Sequence, residues 1–88
     1  MEIKVKFSTI FKELSGIDKT EFLFYQSATV GDVLEKIAED FPKLKKWIPQ
    51  NGQLSDYVYV LLNGKYGAPQ TQLKDDDEIA LFPPIAGG

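Results

Sequence analysis

The chain has 88 residues, a net charge of −3 and neither cysteine nor histidine; at this length a single core buries roughly 60 to 65% of the unfolded surface, and there is no material for a second domain. The missing cysteine and histidine exclude disulfides, thiolate nucleophiles, imidazole bases and the usual zinc or haem ligands. All ten basic residues are lysines, set against thirteen acids, so there is no basic stripe for a phosphate backbone and nucleic acid is not an expected partner. With no leader-like segment and no apolar run near about 18 residues, a soluble cytoplasmic protein is expected.

In chain order, Glu2 to Phe7 alternates Ile3, Val5 and Phe7 with Glu2, Lys4 and Lys6, the period of a half-buried strand. Ser8 to Asp18 reads as an irregular connection with one helical turn, leading to a second strand at Thr20 to Gln26 in which Phe22 and Phe24 share a face. Thr29 is placed to cap the backbone amide of Asp32 at the start of a helix. Val30, Val33, Leu34, Ile37, Ala38 and Phe41 form its apolar stripe, and Pro42 ends it. Lys43 to Gln53 reads as a loop with a short helical piece over the core, Trp47 being a partly buried cap.

Tyr57 to Leu62 is an aromatic and branched strand closing in the turn pair Asn63-Gly64. Tyr66 to Leu73 reads as a weak edge segment, Lys74 to Asp77 as a polar turn, and Glu78 to Phe82 as the final strand. The order predicts a helix packed on one face of a mixed sheet, with the first and last strands side by side in the centre. Asp75, Asp76, Asp77 and Glu78 are adjacent carboxylates that diverge into water, without calcium-loop spacing, so no metal is expected.

The segment Pro83-Pro84-Ile85-Ala86-Gly87-Gly88 has the composition of an arm. The proline pair holds the stem extended, and the glycines, without Cβ atoms, let the tip pass a slot closed to larger residues. Six residues at roughly 3.3 Å each reach about 20 Å.

Taken with the order of elements, four stretches carry a resemblance that covers nearly the whole chain: Ile3-Lys4-Val5-Lys6-Phe7, Lys12-Glu13-Leu14-Ser15-Gly16, Leu62-Asn63-Gly64 and the closing run from Leu73 to Gly88. The chain resembles the ubiquitin-like (MoaD/ThiS) sulfur carriers of the β-grasp fold, most closely the MoaD-type small subunit of molybdopterin synthase. It departs from the family at Asp76, where a glycine is usual. Aspartate tolerates the left-handed region better than most residues.

The resemblance implies an α+β domain over residues 1–82 and a flexible arm over 83–88. It also implies a chemistry: an ATP-dependent activating enzyme of the MoeB type adenylates the Gly88 carboxylate, and sulfur replaces AMP to give a thiocarboxylate. Pro83, Pro84, Ile85, Ala86 and Gly87 then thread into a MoaE-type large subunit, and the sulfur passes to cyclic pyranopterin monophosphate in molybdenum or tungsten cofactor synthesis. The implied assembly is a heterotetramer of two small and two large subunits. Magnesium-ATP belongs to the activating enzyme, and no cofactor is expected on this chain, which is not expected to catalyse alone.

Strand parity adds a docking candidate. If Ile79 and Leu81 face the core, Phe82 points to the opposite face, where an exposed aromatic at the root of the arm can anchor a partner. Tyr66 is a second candidate by its place beside the Asn63-Gly64 turn. Two further readings share the activated glycine: a protein modifier joined to lysines through Gly88, and a sulfur carrier for thiamine thiazole or another sulfur product.

Overall fold

The computed structural model describes residues 1–48 and 58–83. In chain order it contains β1 (Glu2–Phe7), α1 (Ile10–Ser15), β2 (Lys19–Leu23), α2 (Val30–Asp40), a 3-10 helix (Pro42–Trp47), β3 (Tyr59–Leu62), β4 (Lys65–Tyr66) and β5 (Glu78–Phe82). The strands form one mixed sheet in the order β2-β1-β5-β3-β4. The first and last strands are neighbours, as expected, and run parallel, with Val5 beside Ile79 and Phe7 beside Leu81.

One face of this sheet carries the core. Ile3, Val5 and Phe7 of β1, Phe22 of β2, Ile79 and Leu81 of β5 and Val60 of β3 are buried against Val30, Val33, Leu34 and Ile37 of α2. The stripe on α2 works as its spacing predicts, Ala38 and Phe41 packing at its margin. Phe41 meets Phe7 edge to face at 5.2 Å.

The start of α2 is specified locally. Thr29 Oγ1 accepts from Asp32 N at 3.2 Å and Asp32 Oδ2 accepts from Thr29 N at 2.9 Å, a reciprocal capping box. The next two amides are taken by the chain beyond β4: Val30 N donates to Thr71 O and Gly31 N to Pro69 O. A Cβ at Gly31 would lie 3.1 Å from the Pro69 carbonyl oxygen, so the close approach favours glycine.

The Ser8–Asp18 connection is more ordered than its sequence pattern suggests. It holds α1, whose Phe11 is fully buried and packs edge to face on Trp47 at 5.7 Å. Gly16, with φ of +83°, ends the helix in the left-handed region and donates to Lys12 O. β2 spans Lys19–Leu23, displaced from the expected Thr20 to Gln26, although Phe24 still exchanges backbone hydrogen bonds with Met1. Tyr25 and Gln26, past the end of the strand, are exposed.

The expected helical piece is the 3-10 helix, whose Leu44 is buried together with the following Ile48. Residues 49–53 of that loop, and Tyr57 of the third expected strand, lie outside the described residues. The edge segment is only partly a strand. After Tyr66 the chain turns under the sheet, Gly67 N bonding to Val60 O and Leu73 N to Ala28 O, which buries Leu73.

Asn63 and Gly64 have φ of +51° and +83°, as a two-residue type I′ hairpin requires. The Asn63 side chain links this hairpin to the acidic turn, donating to Asp77 Oδ1 and accepting from Glu78 N, both at 2.9 Å. The Asp75 and Asp77 carboxylates do not diverge into water as expected. Asp75 Oδ1 accepts from Glu2 N at 2.7 Å and Asp77 Oδ2 from Lys74 N at 2.8 Å, because unpaired amides of β1 and the turn lie within reach.

Asp77 N closes the turn on Lys74 O, and Asp76 at its third position has φ of +68°. A left-handed residue there is the signature of a type II turn, which favours glycine. We expect Asp76→Gly to raise stability by about 0.5 to 1 kcal/mol, by removing left-handed strain and one of four adjacent like charges. Leu81→Ala, which opens a cavity between β5 and α2, is expected to cost about 2 to 5 kcal/mol. Urea unfolding of both variants beside the parent measures the two effects.

Candidate functional site

β5 lies between β1 and β3, so its last residue, Phe82, delivers the chain to the arm from the middle of the sheet. Pro83, the next residue, is half-buried. The remaining arm residues Pro84, Ile85, Ala86, Gly87 and Gly88 lie outside the described residues.

The parity expected for β5 is present: Ile79 and Leu81 are fully buried on the helix side. Phe82 faces the other way but is half-buried where full exposure was expected. The cause is its neighbour across the strand gap, since Tyr59 of β3 stands directly opposite and shares its face. Ala80 is buried for a similar reason, lying between Lys6 of β1 and Leu61 of β3.

Tyr66 joins the same surface through the hairpin. It stands opposite Leu61, which stands opposite Ala80, so one row crosses the sheet as Lys6, Ala80, Leu61 and Tyr66. Tyr59 and Phe82 form the next row. Tyr59 is 51% exposed and Tyr66 62%. The result is an aromatic and aliphatic band at the arm root, on the face opposite the helices, bordered by lysine on β1.

Tyr59 and Leu61 were missing from the sequence-based candidates. Alternation carries the signal: with Val58 and Val60 buried, the residues that alternate with them, Tyr59 and Leu61, must face outward. What alternation leaves open is that they stand beside Phe82 and Tyr66, which depends on register between strands distant in sequence.

The band offers apolar area and ring edges, the surface chemistry of recognition. Among the described residues no three acids group in a way that could hold a metal ion. Nor, among those residues, is any helix long and apolar enough to cross a membrane.

Comparison with known proteins bears on what such a band and arm belong to. The model of the ThiS family matches residues 5–88. Small archaeal modifier protein 3 of Haloferax volcanii is 33% identical over 92 residues, covering 100% of both chains. The molybdopterin synthase sulfur carrier subunit of Chlamydomonas reinhardtii is 32% identical over 90 residues, again covering 100% of both. Among solved structures, the crystal structure of H. volcanii small archaeal modifier protein 1 is similar with a TM-score of 0.83 and 30% identity, over 96% of this chain and 98% of that one. The fold is thus the β-grasp fold that the resemblance implied. With a family model spanning nearly all of its length and full-length relatives above 30% identity, the chain belongs to the ThiS family, the ubiquitin-like sulfur carriers of the MoaD type.

Proposed function

We propose that this chain is the sulfur carrier and small subunit of a molybdopterin synthase, acting in the cytoplasm through the carboxylate of Gly88. The observation that carries the reading is the joining of a Pro-Pro-Ile-Ala-Gly-Gly arm to the central strand of a ThiS-family domain, beside an uncovered aromatic band. A terminal carboxylate is ionised at neutral pH and is a poor electrophile, so it must be activated before sulfur can be loaded. A MoeB-type enzyme with bound magnesium-ATP forms the acyl-adenylate, and a sulfur nucleophile displaces AMP to leave the thiocarboxylate.

Delivery divides between arm and band. Phe82 and Tyr66, with Tyr59 and Leu61 between them, seat on the partner, while Pro83 to Gly87 carry the thiocarboxylate into the MoaE-type subunit. Sulfur then passes to cyclic pyranopterin monophosphate. The likeness to the C. reinhardtii sulfur carrier subunit along the full chain supports this reading.

A second reading is favoured by the relatives described as small archaeal modifier proteins: the same activated Gly88 is joined to lysine side chains of other proteins. Both readings share the adenylation step. Intact mass of the chain purified from its native cells separates them, because exchange of one oxygen for sulfur adds about 16 Da, whereas a modifier appears as a ladder of conjugates.

Two outcomes are expected. Adding one residue after Gly88 abolishes thiocarboxylate formation with the activating enzyme while the unfolding midpoint stays unchanged; an extended chain that still acquires sulfur would refute the role of Gly88. Phe82→Ala weakens binding to the activating enzyme or the large subunit by about 1 to 3 kcal/mol, read by calorimetric titration, while the melting temperature falls by only a few degrees.

A further inference from the structure

β2 is an edge strand, and only one of its sides is used. Phe7 N donates to Asp18 O at 2.7 Å, and Met1 and Phe24 exchange hydrogen bonds at 2.9 Å. In the observed antiparallel register these bonds fix which pairs bond between them: Val5 with Thr20 and Ile3 with Phe22. The amide and carbonyl groups of Lys19, Glu21 and Leu23 therefore point away from the sheet, and among the described residues no strand lies beyond them.

The side chains along this edge are accessible. Lys19 and Glu21 are exposed, Leu23 is 61% exposed, and Ile17 just ahead of the strand is 38% exposed. Lys19 also stands opposite Lys6 on β1, a like-charge pair flanked on the same face by Lys4 and Glu21. A free edge of this kind is a template for another strand unless its charges repel every candidate.

We propose that this edge pairs with the same edge of a second copy of the chain, antiparallel about a two-fold axis at Thr20. Charge selects the register. An axis at Lys19 would set two lysines opposite each other, one at Glu21 two glutamates, and one at Phe22 would place Glu21 against Leu23. With the axis at Thr20, Lys19 of each copy faces Glu21 of the other, and these are the residues whose backbone groups point outward and can bond across the junction.

The same register brings Ile17 against Leu23 of the second copy, covering two apolar side chains that the single chain leaves in water. Glu21 of the second copy also borders the Lys6–Lys19 pair and offsets its repulsion. The junction is short, so association is weak and concentration-dependent. β1 separates this edge from the arm root on the central strand β5 and from the aromatic band on β5, β3 and β4, so pairing leaves both open in each copy.

The full chain, Lys19→Glu, Glu21→Lys and an equimolar mixture of the two variants test this by sedimentation velocity, with backbone amide shifts followed over the same concentration series. The parent chain is expected to dimerise as its concentration approaches about 1 mM, with shift changes confined to Ile17–Leu23. Each variant places like charges at both junction pairs and is expected to remain monomeric. Mixed, the two restore opposite charges and are expected to form a heterodimer. The carboxylate introduced in Lys19→Glu faces Lys6 favourably within its own sheet, so loss of dimer there does not reflect misfolding. A parent chain that stays monomeric to about 1 mM, a single variant that still dimerises, shift changes elsewhere on the sheet, or a mixture that stays monomeric would each overturn the proposal.

Discussion

The parallel pairing of β1 with β5 is the contact on which the molecule depends. It joins the first and last described strands side by side, and the core rests on it: Ile3, Val5 and Phe7 from one strand, Ile79 and Leu81 from the other. It also sets the direction in which the chain leaves the sheet. Because Leu81 is held against α2, the next residue must turn to the far face and the arm must start there. A parallel ladder between distant segments is entropically slow to form, since nearly the whole chain has to be closed into a loop first. Local clips hold that closure: Glu2 N to the Asp75 carboxylate, Asp76 N to Glu2 O, and Lys4 N to Asp77 O.

These clips give the acidic turn a meaning that its composition hides. Four consecutive acids resemble a cation site or a solvated surface. Two of their carboxylates accept backbone amides, and Asp77 reaches Asn63 as well, so the turn fastens the start of β1, the β3–β4 hairpin and the start of β5 into one corner.

Elements whose specification is local could be read from sequence. The alternation of Ile3, Val5 and Phe7 gives β1, and the reciprocal Thr29 and Asp32 bonds give the start of α2. Less could be read where a segment has a single anchor. Phe11, the fully buried residue of α1, sets that helix against Trp47, a contact between residues with no shared period. The stretch after Tyr66 is held by α2 amides and Gly67, partners that only the fold supplies. At the candidate site, the outward parity of Phe82 was visible in five residues of sequence. Its half-burial was not, because that depends on Tyr59 arriving opposite it through an antiparallel register set elsewhere.

The placement of β5 has a mechanical consequence. The strand is hydrogen-bonded along both edges, to β1 on one side and β3 on the other. Tension applied to the arm while the sheet face is held acts along the strand, so both ladders are loaded in shear and their bonds must yield together. An edge strand pulled crosswise would instead lose its bonds one after another. A domain built this way resists being unravelled from its last strand.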